Sequence, residues 1–224
     1  MSGNAIVVNR TMVAIVAAAV AILGVSAAIS VQLYSPSAIP PTKSSAYSVN
    51  YTTGLALTTR ISSEKISQGA NISISVSVMN TLLMWNDLPP QSNYPQFSSP
   101  YVFSMNPCAS THYGIAVLNG NYSASNLDQA SPLTINKPAI YSCPLMYHVG
   151  YYQFLPHSTH AKMYSSPSET TYLGTTDLSG SITLSGYWTG NLQDHVFHEF
   201  SPGTYTVVSA DGWGQIGILH FTVL

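Results

Sequence analysis

An all-β fold, an immunoglobulin-like antiparallel β-sandwich preceded by one N-terminal transmembrane helix, is predicted by three features of the 224 residues. Apolar side chains alternate with Ser and Thr at a period of two beyond residue 50. Gly, Pro, Asn and Asp interrupt that alternation every few residues, as turns do between short strands. The single long apolar run without charge lies near the N-terminus.

Residues 12–31 form that run, and no charge falls between Arg10 and Lys43. At about 1.5 Å per residue, some 20 residues cross a ~30 Å hydrocarbon core, so the segment reads as an uncleaved signal anchor. A cleaved signal peptide ending at Ala27 or Ala28 is the competing reading. Arg10 is the positive flank, which assigns residues 1–11 to the cytoplasm and everything after residue 31 to the cell exterior. Residues 32–49 carry Pro36, Pro40 and Pro41 among serines and read as a semi-extended spacer. Residues 50–224 are then one extracellular domain at the cell membrane.

Within that domain the clearest strand is residues 72–78, where Ile72, Ile74, Val76 and Val78 share one face and serines the other. Leu55, Leu57, Thr59 and Ile61 alternate before it, and Gln68-Gly69 supplies a turn, so the two runs are expected to be sheet neighbours. Residues 88–107, rich in Pro, read as a long surface loop. Later strands are expected at 114–118, 149–155, 181–187, 204–210 and 215–223, giving about seven in all, the number typical of a sandwich. Tyr205, at the start of the penultimate strand, is the candidate for a tyrosine whose hydroxyl bonds back to the corner backbone. Asp211-Gly212-Trp213-Gly214 reads as the turn before the last strand.

Composition removes several functions. Only 6% of residues are charged and the net charge is -2 with no basic run, which excludes a nucleic-acid partner because phosphate binding needs clustered Lys and Arg. Fifteen Tyr, six Phe and three Trp supply the apolar surface a disordered chain lacks. The low charge also fits an acidic exterior and stability that is flat between neutral pH and about pH 3.

Cys108 and Cys143, the two cysteines, fall in the part assigned to the exterior and are expected to form a disulfide worth roughly 3 to 4 kcal/mol for a loop of about 35 residues. A zinc site built from Cys108, His112, Cys143 and His148 would lack the usual Cys-x-x-Cys pair. A blue-copper set using Met146 would carry its ligands in the order Cys, Met, His, far upstream of the last strand. Seven histidines dominate titration near neutrality, and the pairs His157/His160 and His195/His198 are the candidate ligands for copper or zinc, with Asp194 and Glu199 beside the second pair. Residues three apart on a strand point to opposite faces, so the pairs serve a metal only from a loop or helical turn. No Gly-x-Ser-x-Gly elbow or paired-carboxylate signature marks a hydrolase. Tyr94, Phe97 and Tyr101 in the Pro-rich loop, with Trp213 and Trp188 at strand tips, are the binding candidates. Asn50, Asn71 and Asn121 begin sequons and are candidate glycan acceptors.

Trp85-Asn86, Asn106-Pro107-Cys108, Gly114-Ile115-Ala116-Val117, Cys143-Pro144 and Tyr152-Gln153-Phe154 together carry a resemblance, joined by the run from Pro202 to Val208, Trp213-Gly214 and Leu219-His220-Phe221. The chain resembles a group of archaeal membrane-anchored extracellular β-sandwich proteins with no established activity, over most of residues 50–224. That group commonly has an acidic residue just before the Trp-Gly pair, where this chain has Gly212. The resemblance implies the location and the two-cysteine pattern. The function expected is a non-catalytic binding or cell-envelope structural module with an extracellular protein or glycan partner and no cofactor. A histidine-based copper or zinc domain is the alternative, and a secreted hydrolase the weaker third reading.

Overall fold

The computed structural model describes residues 44–89, 103–104, 113–139, 149–165 and 171–224. The expected anchor, most of the Pro-rich stretch with Tyr94, Phe97 and Tyr101, and both Cys108 and Cys143 lie outside the described residues. The strands are β1 (Ser45–Asn50), β2 (Leu55–Ile61), β3 (Lys65–Ile66), β4 (Ile72–Asn80), β5 (Asn86–Leu88), β6 (Phe103–Ser104) and β7 (Tyr113–Asn119). They continue with β8 (Tyr151–Phe154), β9 (His160–Tyr164), β10 (Tyr172–Asp177), β11 (Ser179–Leu184), β12 (Gly186–Thr189), β13 (Val196–Glu199), β14 (Gly203–Asp211) and β15 (Ile216–Val223). One 3-10 turn spans Leu127–Gln129.

Four sheets result, ordered β1-β2-β4-β11, β3-β15-β14-β7-β6, β10-β9-β8-β5 and the ribbon β12-β13. All pairings among the described strands are antiparallel except β15 with β3. The expected partnership of residues 55–61 with 72–78 holds: Leu57 faces Val78 and Ile61 faces Ile74 across β2 and β4. Alternation sets that register, since sliding by one residue would turn Ile72, Ile74, Val76 and Val78, all buried, out to water. Each such side chain contributes about 1.5–3 kcal/mol by burial.

The five-stranded sheet is covered on both faces. Tyr205, Val207, Leu219, Phe221, Ile115 and Val117 join the main core with β2 and β4. On the other side, Val208, Ala116 and Leu118 pack under Leu127 and Ala130. That covering explains why β14 is buried without a break from Tyr205 to Asp211, the pattern of a strand between two layers. The Tyr205 hydroxyl donates to Ser201 O at 3.0 Å, the corner bond expected from the sequence.

Three expectations are corrected. β1 lies inside the stretch assigned to the spacer; it is an edge strand, half-buried, and needs hydrogen bonds on one side only, so its alternation is weak. The expected strand at 181–187 is two strands in different sheets, because a Cβ on Gly186 would sit 1.9 Å from His198 O, and only glycine allows so close a crossing. The Pro-rich stretch contributes strand at both ends, Leu88 pairing with Tyr152 and Phe103 with Ile115. The edges β3, β5 and β6, of two or three residues, are too short to show a period, which is part of why about seven strands were expected and fifteen are present among the described residues.

Candidate functional site

At one end of the domain the turn of residues 51–54, the loop 81–85, the turn 155–159 and the turn 212–215 are tied together by hydrogen bonds. Asn80 closes β4 and is fully buried. Its Oδ1 accepts from Leu82 N at 3.0 Å, and its Nδ2 donates to Met84 O at 2.9 Å and Leu155 O at 3.2 Å. A side-chain amide used on three sides fixes the backbone of the loop beyond the strand. Thr81 N and Thr81 Oγ1 both donate to Gly54 O at 2.8 Å, and His157 N donates to Leu82 O at 3.2 Å. Asn86 Nδ2 reaches Thr53 O at 2.7 Å, so the loop is fastened at both ends.

The side chains on this braced backbone point into water. Leu82, Leu83, Met84 and Trp85 are 39%, 59%, 67% and 47% exposed, and Tyr51 on the adjoining turn is 92% exposed. Single exposed apolar residues are ordinary, but four in succession on a braced loop are a costly surface that nothing in the fold requires. Gly54 has φ +67, and a Cβ there would sit 2.7 Å from Leu82 Cγ, so the glycine admits the loop against the turn. Lys162 Nζ stands 4.7 Å from the Trp85 ring centre, a cation–π contact at the collar of the loop.

Behind the loop lies Trp213, which the sequence reading placed at a contact tip. That is corrected: the indole is 1% exposed, sits edge-on to Tyr152 and Phe154 at 5.6 and 5.3 Å, and donates from Nε1 to Pro89 O at 3.1 Å. Its backbone is held by Asp211, also fully buried, whose Oδ1 accepts from Trp213 N and Gln215 N at 2.9 Å and whose Oδ2 accepts from Gln215 Nε2 at 2.7 Å. Burial pushes the Asp211 carboxyl up to about 6, against the opposing pull of the N–H groups of Gln215, Trp213 and Gly214. Gln215 Oε1 is buried with no hydrogen-bond partner among the described residues. Asn50 Nδ2 donates to Trp213 O at 3.1 Å and its Oδ1 accepts from Thr52 N and Thr53 N. Asn50 is half-buried and its Nδ2 already donates to Trp213 O, so a glycan there would have to fit beside that bond, whereas Asn71 and Asn121 are exposed.

The histidine pairs are separated by strand geometry. His195 lies edge-on to Trp188 at 5.3 Å, while His198 stacks on Tyr187 at 5.6 Å and bonds Thr189 Oγ1 at 2.8 Å. Trp188 and Tyr187 are consecutive on β12 and face opposite sides of the ribbon, so His195 and His198 do too. His157 and His160, both exposed, flank the tip of the β8–β9 hairpin, and no group of three His, Cys, Asp or Glu among the described residues is placed to hold a metal ion. Ser158 Oγ approaches His160 Nδ1 at 3.4 Å, and Asp177 opposes His160, but Asp177 spends its oxygens on the hydroxyls of Thr159 and Ser179.

Two other aromatic surfaces are present. On the ribbon, Trp188 packs with Phe197 at 5.1 Å under Lys137 Nζ at 5.6 Å, so neighbours already occupy much of the ring. On the outer face of β8, β9 and β10, Tyr151 and Tyr164 stack at 4.7 Å with planes 6° apart, and Tyr172 meets Tyr164 at 5.9 Å. Stacking takes one face of Tyr151 and one of Tyr164, both half-buried, and Tyr172, 54% exposed, is the most open ring of the three. Leu192, Val196 and Phe197 on and beside the ribbon are also exposed, at 49%, 53% and 42%, but among the described residues the apical loop is the longest unbroken run of exposed large apolar side chains. Neither the protein-family models nor the curated proteins compared with the chain gave a match.

The sequence reading used Trp85 only within the resemblance and passed over Leu82 to Met84. The signal available was four apolar residues between an Asn that ends a strand and a Pro-Pro pair, a run too short for a strand of its own. That Asn80 would be buried and turn its side chain back to brace them was not legible from the pattern.

Proposed function

We propose that the protein is a single-pass membrane protein whose extracellular domain is an immunoglobulin-like β-sandwich, serving as a non-catalytic binding module of the cell envelope. The observation that carries this reading is the apical loop: a fully buried Asn80 holds the backbone while Leu82, Leu83, Met84 and Trp85 are offered to the surroundings. Rigid presentation of apolar side chains is how a contact surface limits the entropy lost on binding. The uncharged apolar run at residues 12–31 supports the anchor, and two sheets feeding one core together with the Tyr205 corner bond support the sandwich.

The test is site-specific photo-crosslinking in cells from position 83, with position 181, an exposed serine on β11, as control. The reading expects a crosslinked adduct from 83 that is absent from 181. Equal labelling from both positions, or none from 83, contradicts it.

A further inference from the structure

We infer that two copies of this chain pair through the open edge of β13, antiparallel about a two-fold axis at Phe197, so that two β12-β13 ribbons become one continuous sheet.

The hydrogen bonds of the ribbon leave that edge open. Phe200 N donates to Ser185 O at 3.1 Å, one step beyond the Gly186–Glu199 pair, so Ser185 and Phe200 are a hydrogen-bonded pair. An antiparallel ladder alternates, which makes Tyr187–His198 and Thr189–Val196 bonded pairs and leaves Trp188–Phe197 and Gly186–Glu199 unbonded. Trp188 N agrees, since it turns away from β13 and donates to Thr134 O at 2.8 Å. The N–H and C=O groups of Phe197 and Glu199 therefore point out of the ribbon, and no hydrogen bond among the described residues takes them. Every residue of β13 is exposed. Lys, Pro and bulges, the devices that keep an edge from pairing, are absent from this strand.

Open main-chain donors and acceptors in a row are satisfied by another extended strand. The order of side chains along β13 fits a second copy of itself. His195, Phe197 and Glu199 share the open phase, and only registers that set these residues against one another join open groups. With Phe197 on the axis, Phe197 meets its counterpart, and His195 and Glu199 of each copy meet Glu199 and His195 of the other. His195 directs Nδ1 at Leu192 O at 3.2 Å, so the protonated ring has Nε2–H left to donate to that carboxylate. No described residue bonds or pairs with the Glu199 carboxylate. The other charged or titratable groups of the ribbon are placed elsewhere: Lys137 over Trp188, His198 on the opposite face against Thr189, and Asp194 in the loop before His195. An axis at His198 would set that imidazole against itself and Phe197 against Glu199, so charge complementarity selects the register at Phe197.

Residues opposite one another in an antiparallel pair share a face, so Trp188 and Phe197, already 5.1 Å apart, would meet the same two rings of the second copy in a single aromatic row. The pairing also closes. It uses the open edge of both copies, and Thr134 occupies the far side of β12, so the assembly stops at a dimer instead of growing into a fibre.

The test is sedimentation equilibrium of the full chain in density-matched detergent. One short strand pair buries less than a standard interface, so half-dimerisation is expected at or below about 100 μM, with no larger species. Phe197→Lys sets two ammonium groups against each other, and His195→Glu sets carboxylate against carboxylate twice; each is expected to weaken association at least tenfold. Combining His195→Glu with Glu199→Lys restores opposite charges and is expected to recover the unaltered affinity to within about threefold, which an unfolded variant could not do. A monomer at every concentration up to about 500 μM overturns the proposal. So does a dimer that survives both single changes, which would lie at another surface, or a charge swap that fails to recover association. None of these outcomes depends on the apical loop, whose reading is decided separately by the crosslink at position 83.

Discussion

Replacing Asp211 by Asn tests how the apical end is built, and its effect depends on pH. The carboxyl is fully buried and is pushed from 3.8 to about 6, a rise of about two units, or about 3 kcal/mol. Because the folded value lies above the unfolded one, the proton is held more tightly in the folded protein. The group's favourable contribution is therefore complete below about pH 3.8 and is lost as pH rises through about 6. Above that, the charge must be buried on folding. Asn keeps the acceptor for Trp213 N and Gln215 N but does not titrate. Denaturant unfolding of the full chain and the Asp211→Asn variant, in matched buffers near pH 4 and pH 7, should give a stability difference that shifts by roughly 2 to 2.5 kcal/mol in the variant's favour at the higher pH. The sequence suggested flat stability; the raised Asp211 carboxyl predicts instead a domain that is firmer in acid than at neutral pH. A variant weakened equally at both values would refute the reasoning, since the carboxylate would then act only through its hydrogen bonds.

Other outcomes follow from single contacts. Asn80→Ala strands Leu82 N, Met84 O and Leu155 O and should cost about 2–4 kcal/mol by thermal or chemical unfolding, with loss of the position-83 crosslink. Tyr205→Phe removes the bond to Ser201 O and leaves the ring packed on Phe221, so denaturant unfolding should show a loss of about 1 kcal/mol. Gly186→Ala drives a methyl into His198 O and should separate β12 from β13, read as faster proteolysis between Thr189 and Val196 with the main core intact.

What was legible in the sequence was what repeats. β4 announces itself because Ile and Val alternate with Ser over a full strand, and β2 follows because its alternation matches in register. The Tyr205 corner was readable because Pro202 and Gly203 mark a turn just before a run of strand formers. β5 and β6 were hidden by length, and β1 by being a half-buried edge. The site was less legible for a different reason. Trp213 looks like a turn residue available for contact, yet its indole fills the core behind the turn, and Leu82 to Trp85 look like core residues, yet they stand outside it. Hydrophobic pattern reports what side chains favour on average; which of them water reaches depends on Asn80 and Asn50, polar residues whose tertiary bonds have no local signature.

The central claim is that exposed apolar side chains ride on a backbone that does not move. Amide hydrogen exchange at Leu82 in the full chain measures this most directly, because its N–H is bonded to a side chain that is itself fully buried. The account predicts exchange slowed at least about 100-fold relative to an unstructured peptide, and release of that protection in Asn80→Ala. Exchange at the unstructured rate in the unaltered protein would contradict it, because the loop would then be loose surface rather than a built contact.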